Sequence, residues 1–176
     1  GGAFRSVSDF VNALVNAAKA LPRGWHLRLK EHPSTPAFVA DLLADVDAPI
    51  HLDNATDTFA QVAASRGVVT INSSVGLEAM FFDKPVVACG QCFWAIEGMA
   101  EKATDPAMLM TMMRSAADWS FDADTRNAVM SFLDQVYYPS LDIDKPSTQA
   151  SALIGARLSI RPDDLMSWMP IQRVPA

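Results

Sequence analysis

Two short stretches of this chain carry residues whose types and order suit the handling of a phosphate group. The first is "LRLKEHPSTP", in which Lys30, Glu31 and His32 stand where an alternating run gives way to a proline. Pro33 disfavours helical backbone at the residue before it, which holds His32 at the end of a strand. An imidazole there can donate a hydrogen bond to a phosphate oxygen or pass a proton to a leaving phosphate. The ordinary alternative is a surface histidine before a turn.

The second stretch is "VVTINSSVGLEAM", from Val68 to Met80. Ser73 and Ser74 follow an apolar run, and Gly76 lies near the start of a helix. N–H groups at a helix start attract anions. The serine hydroxyls add donors, Gly76 permits close approach, and Glu78 is placed to bond ribose hydroxyls. The alternative is structural: a serine N-cap with a glutamate in the capping-box position. Neither a G-x-G-x-x-G fingerprint nor a Walker-type lysine loop occurs, and there is no G-x-S-x-G elbow.

"CGQCFW" holds the two cysteines, Cys89 and Cys92. A redox pair needs its first cysteine at a helix N-terminus. Cys89 instead ends the apolar run "PVVAC", which favours small core or loop cysteines. His26, His32 and His51 show no metal-ligand spacing, so no metal is expected.

The elements that position these stretches follow from periodicity. Phe10, Ala13, Leu14, Ala17, Ala18 and Leu21 recur at helical spacing, with Ser8 as a candidate cap. "WHLRLK" alternates as a strand, "STPAFVADLLADV" reads as a helix and "PIHLD" as a strand. "TDTFAQVAASR" is a helix capped by Thr56 or Asp57. "GVVTIN" is a strand expected to be buried on both faces. "VGLEAMFFD" is a helix and "KPVVACG" a strand. Helix and strand alternate four times, which predicts an α/β fold: a Rossmann-like parallel sheet flanked by helices. In such a sheet ligands bind beyond the carboxyl ends of the strands, and "KEHPS", "DNATD", "INSSVGLE" and "CGQCFW" all fall there.

After Gly90 only helices are expected, over "DPAMLMTMMRSAADW", "DADTRNAVMSFLDQVYY" and "DKPSTQASALIGARL". The methionines of the first suit core packing. The proline-rich end, with Trp168 and Met169, reads as irregular and as a surface for the body or another copy. Residues 1–140 form the predicted Rossmann-like domain, and 141–176 a helical or irregular extension.

The chain has 176 residues, half of them apolar, and a net charge of −6. Its pI near 4.9 argues against nucleic acid as a partner. No apolar run reaches the ~20 residues of a membrane span, and the first ten residues lack the pattern of a secretory signal. A cytoplasmic protein is expected.

In combination, Lys30 to Pro33, Ser73 with Ser74, Gly76 to Ala79, Lys84 to Val86, Gly90, and Phe93 with Trp94 resemble the capsule polysaccharide synthesis/export family. The resemblance runs roughly from Phe10 to Ser140. Proteins of that family look like bacterial glycosyltransferases of the two-Rossmann-domain (GT-B) type, and characterised members transfer Kdo from CMP-Kdo. The resemblance implies that His32 is catalytic and contacts the donor phosphate together with Ser73, Ser74 and Gly76, and that Glu78 lies near the ribose. Phe93 and Trp94 line the acceptor cleft or close the core. Lys84 and Pro85 set a turn.

The resemblance further implies a CMP-linked nucleotide sugar as substrate, with no separate cofactor, and a glycan or glycolipid acceptor. An N-terminal domain outside this sequence would supply the general base. The chain would then be the donor-binding half of a longer protein, inactive alone, beginning at a helix with the first strand of its domain absent. Association of the full-length protein with the inner face of the membrane, and a homodimer, are expectations of the same kind. The alternatives are a GT-B relative using a UDP- or CDP-linked donor, and a non-enzymatic export component.

Overall fold

Ser6 starts the first helix by accepting a hydrogen bond from Asp9 N–H at 3.0 Å. In the computed structural model, which describes residues 4–32 and 39–134, helix α1 runs Val7–Ala18. It therefore begins before Ser8, because Ser6 has the extended backbone of a cap and its side chain reaches the third residue on. Val11, Ala13, Leu14, Ala17 and Ala18 form its buried stripe, the periodicity expected of a helix packed on one side.

The alternation continues as strand β1 (Leu27–Leu29), helix α2 (Val39–Leu43), strand β2 (Ile50–Leu52), helix α3 (Thr58–Ala64), strand β3 (Val68–Thr70), helix α4 (Val75–Met80) and strand β4 (Val86–Ala88). Asp57, not Thr56, caps α3, accepting from Ala60 N–H at 3.0 Å. After β4 comes a strand that the sequence did not announce, β5 (Glu101–Lys102). It is followed by helix α5 (Pro106–Arg114), a 3-10 turn at Ala116–Asp118 and helix α6 (Ala123–Phe132). Asp105 caps α5 with Pro106 in its first turn, where a missing N–H costs nothing.

All strand pairing is parallel, in two sheets. β1 pairs β2 with Leu27 opposite Ile50. β3 pairs β4 with Val68 opposite Val86, and β4 pairs β5 with Val87 opposite Glu101. The fold is a mixed α/β arrangement of open parallel sheets flanked by helices, consistent with a Rossmann-like domain. One cluster joins Ala13, Leu14 and Ala17 of α1 to Val87, Cys89, Leu109 and Met113, with Leu27, Leu29, Ile50 and Val69 packed against it. Both sheets thus share a core. Met113 and Leu109 are fully enclosed while Met108 is exposed, so the methionine-rich segment fills the core on one face only.

β3 departs from expectation. β4 is buried at every residue, but Val68, Val69 and Thr70 are each only half-buried. Among the described residues β4 has a partner strand on both sides, whereas β3 has one only on the β4 side.

The chain divides into two units, Gly1–Phe121 and Asp122–Ala176. Of the second, α6 is described: Asp122 caps it, accepting from Asp124 and Thr125 N–H groups. The expected helix over "DKPSTQASALIGARL" and the surface role of Trp168 and Met169 lie outside the described residues, as does Pro33. Among the described residues no helix is long and apolar enough to cross a membrane.

Candidate functional site

β1 ends at Leu29, and the three residues after it lead to the loop of the histidine. Lys30 does not project free. Its Nζ donates to Asn54 O at 3.0 Å and to Thr56 O at 2.6 Å, tying this loop to the one that follows β2. Glu31 and Asn54 bond reciprocally. Glu31 N–H donates to Asn54 Oδ1 at 3.0 Å, and Asn54 Nδ2 donates to Glu31 Oε2 at 2.6 Å. Glu31 Oε1 is shut away from solvent with no hydrogen-bond partner among the described residues. His32 follows and is exposed. The lysine and glutamate before it hold the backbone that carries it.

The partner loop is itself cross-braced. Asp53 Oδ1 accepts from Ala55 and Thr56 N–H groups, and Gln61 Nε2 donates to Asp53 O and Thr56 O. Bonds from Thr56, its N–H first and then its hydroxyl, pull the Asp53 carboxyl below its ordinary range. The N–H of Ala55 and the Arg28 guanidinium act in the same direction. Sequence reasoning named this loop and took Thr56 or Asp57 as a helix cap, but gave Asp53 and Asn54 no part. The signal was present in "DNAT", a run of side chains that bond nearby backbone.

At the end of β3, Thr70 Oγ1 accepts from Ser73 N–H at 3.2 Å, and Ser73 Oγ accepts from Val75 N–H at 3.2 Å. Ser73 is therefore the residue that satisfies the start of α4. Ser74 occupies the N-cap position yet makes no side-chain capping bond, and it is exposed. With Val75 as the first helical residue, Glu78 is fourth, one place beyond the capping-box position. The structural alternative for this stretch is thus realised by Ser73 alone. Ser74 and the half-buried Glu78 are left with no capping duty.

Gly76 is buried, and a Cβ there would overlap the indole of Trp94. Its small size serves helix-to-loop packing. Trp94 closes the core at 3% exposure, while its neighbour Phe93 is 70% exposed. The pair thus splits: only Phe93 faces outward. Lys84 and Pro85 do form a turn. Asp83 takes a left-handed backbone (φ 54°), Lys84 N–H donates to Ala79 O, and Asp83 N–H donates to Met80 O, which ends α4 in a Schellman motif.

Cys89 and Cys92 are both free thiols. Burial pushes Cys89 up to about 12 and also raises Cys92, whose Sγ donates to Ile71 O at 3.3 Å. Neither is the low-pKa thiolate a redox site requires. No group of three metal-ligating side chains gathers among the described residues. A hollow of about 280 Å³ lined by Pro85, Val86, Glu101, Met112 and Trp119 lies at the amino end of β4. That is the end opposite the loops described above, and it holds none of the candidate residues.

The pattern of the family described as "Capsule polysaccharide biosynthesis protein" matches residues 1–137 of this chain. Protein FixF of Sinorhizobium fredii (strain NBRC 101917 / NGR234) is 27% identical over 154 residues, covering 85% of this chain and 37% of FixF. The chain thus spans little more than a third of that relative's length. No solved structure matches.

Proposed function

The chain belongs to the capsule polysaccharide biosynthesis protein family, and on that premise we propose that it is the donor-binding half of a glycosyltransferase, taking a CMP-linked sugar of the Kdo type. One observation carries the reading. The strands are parallel, with β1 leading directly to His32 and β3 directly to Ser73 and Ser74. Parallel α/β sheets bind ligands beyond the carboxyl ends of their strands. The bracing of Lys30, Glu31 and Asn54 supports it further, since a group that meets a phosphate works best when held before the ligand arrives.

In the proposed reaction an acceptor hydroxyl oxygen attacks the anomeric carbon of the sugar. The bond from that carbon to the phosphate oxygen of CMP breaks, and its electron pair leaves with CMP. The hydroxyl proton passes to a base in the part of the protein outside this sequence. His32 donates a hydrogen bond or proton to the departing phosphate, and the Ser74 hydroxyl donates a second hydrogen bond. Ser73, committed to Val75 N–H, orients the turn. Glu78 accepts from the ribose. Exposed Phe93 offers an aromatic surface to the acceptor sugar, and the acceptor is a glycan or glycolipid. A leaving group with one phosphate has less need of a metal than one with two.

The test uses the full-length protein, with CMP release as the readout. His32→Ala lowers the rate about 100-fold or more if the imidazole acts as acid. An unchanged rate removes His32 from the reaction. Saturation-transfer NMR with CMP, UDP and CDP checks the donor: binding of UDP without CMP would sink the Kdo-like reading.

A further inference from the structure

His26 and His51 stand far apart in the sequence, and their spacing shows no metal-ligand pattern. Strand pairing brings them together. Leu27 and Leu29 of β1 and Ile50 of β2 turn toward the core. Side chains alternate along a strand, so Arg28 and His51 point to the opposite face, where both are exposed. His26, just ahead of β1 and in phase with Arg28, falls on that same outer face and is exposed as well. Arg28 is directly opposite His51 in the ladder. His26 is therefore the diagonal neighbour of His51, a separation that rings can bridge. Their ring centroids are 4.7 Å apart, with 32° between the planes. Among the described residues neither ring is committed to a hydrogen bond or an ion pair.

We infer that His26 and His51 form a two-point site for a divalent transition ion of the kind imidazole favours, Cu²⁺ ahead of Ni²⁺ and Zn²⁺, and that the ion clamps β1 to β2.

The separation of the rings is the one such an ion demands. A metal sits about 2.1 Å from an imidazole nitrogen, in the plane of the ring, and hence about 3.2 Å from the ring centre. Two rings on one ion, at bond angles of roughly 90–110°, then have centres about 4.5–5.2 Å apart. The observed 4.7 Å falls inside that interval. No backbone movement is needed. Rotation of two exposed side chains suffices to aim one nitrogen of each ring at a shared point.

The donor set selects the class of ion. Imidazole nitrogens suit Cu²⁺, Ni²⁺ and Zn²⁺, whereas Mg²⁺ and Ca²⁺ take oxygen ligands. No group of three ligating side chains gathers among the described residues, so water fills the remaining positions of the ion. Arg28 is a cation on the same face, but its Nη1 lies 3.8 Å from Asp53 Oδ2, and the carboxylate offsets its charge. That pairing also counts against the competing occupant, an anion held by two imidazolium rings and Arg28. β1 and β2 have three residues each and pair with each other alone among the described residues. A two-stranded pair is marginal by itself. An ion bound across it stabilises the folded state, and with it the two strands that lead to His32 and to Asn54. The inference stands whichever donor the protein uses.

Titration of the full-length protein with Cu²⁺ tests it, read by electron paramagnetic resonance and by thermal unfolding. The wild-type protein should show a Cu²⁺ signal split by two imidazole nitrogens, and its unfolding midpoint should rise as Cu²⁺ is added. His26→Gln and His51→Gln should each abolish the two-nitrogen signal and weaken binding about tenfold or more. The double variant should bind little worse than either single one, because a chelate is lost with its first donor. All three variants should keep the wild-type midpoint without metal, since both rings are exposed. Wild-type affinity in either single variant, or losses that add in full in the double variant, would overturn the inference: the histidines would then bind singly. A midpoint raised by inorganic phosphate and not by Cu²⁺, and lost in the same variants, would assign the pair and Arg28 to an anion and would overturn it equally.

Discussion

Gly76 lies against the indole of Trp94: a Cβ at position 76 would stand 2.5 Å from Cζ2 of that ring. Trp94 is itself almost wholly buried, so it cannot swing into solvent without opening the core. The glycine is thus required by packing. Gly76→Ala is expected to destabilise the protein by about 1–3 kcal/mol, the usual cost of overfilling a packed site. Gly76→Ala combined with Trp94→Leu should recover part of that loss, a coupling that a double-mutant cycle on thermal unfolding reads directly. Full additivity would show that the two side chains do not meet.

Lys30 and Asn54 hold two strand-end loops together over 24 residues of sequence. Lys30→Met keeps the aliphatic stem and removes three donors, leaving the Asn54 and Thr56 carbonyls without that partner. A loss of about 1–3 kcal/mol in unfolding free energy is expected. If the proposed reaction holds, the same change in the full-length protein should slow CMP release less than His32→Ala does, because it would act on the position of His32 rather than on the leaving group. Equal losses would make Lys30 a direct phosphate ligand.

Much of this architecture can be read from the residues, and the parts that cannot have definite causes. Asp105–Pro106 and Asp122 announce their helices, because cap chemistry is local. β5 announces nothing: Glu101 and Lys102 are exposed, and they join the sheet only through backbone bonds to the strand beside them. The half-burial of β3 was equally hidden, since an apolar run reports its composition and not how many strands flank it. The sequence set Lys30 to His32 at a strand end and Ser73 with Ser74 after another, and β1 and β3 do end just before them. The roles of Lys30 and Gly76 were not legible. Each depends on a partner, Asn54 or Trp94, that only the fold brings near.

Asp53 gives the protein a specific sensitivity to acid. Its carboxylate is stabilised in the folded state by the Thr56 N–H and hydroxyl, then the Ala55 N–H, then Arg28, whose Nη1 is 3.8 Å from Oδ2. The folded pKa lies below the ordinary value of 3.8. The contribution to stability is therefore complete above the unfolded pKa, near pH 4, and is lost as pH falls through the folded pKa. Asp53→Asn should lower stability at pH 7 and flatten the decline between pH 4 and pH 2, as measured by urea unfolding across that range. An unchanged acid limb would mean that Asp53 does not contribute to it.

Cys89 and Cys92 offer a direct check on the core. Burial raises both thiols, Cys89 to about 12, so the thiolate that attacks disulfide reagents is scarce at neutral pH. Cys89 is also 4% exposed, packed in the cluster with Ala17 and Met113. Folded protein at pH 7.5 should therefore show almost no fast reaction with an aromatic disulfide such as DTNB at Cys89, and slow reaction at Cys92. Both should react at once in strong denaturant. Cys89→Ser is expected to cost about 1–3 kcal/mol, since a hydroxyl would replace a buried apolar thiol without a partner, whereas Cys92→Ser, half-exposed and able to keep its bond to Ile71 O, should cost less. Fast modification of Cys89 in the folded protein would mean that the strand end bearing "CGQC" opens, and with it the contact between Gly90 and Ile71, where an added Cβ would stand 2.8 Å from the Ile71 carbonyl oxygen.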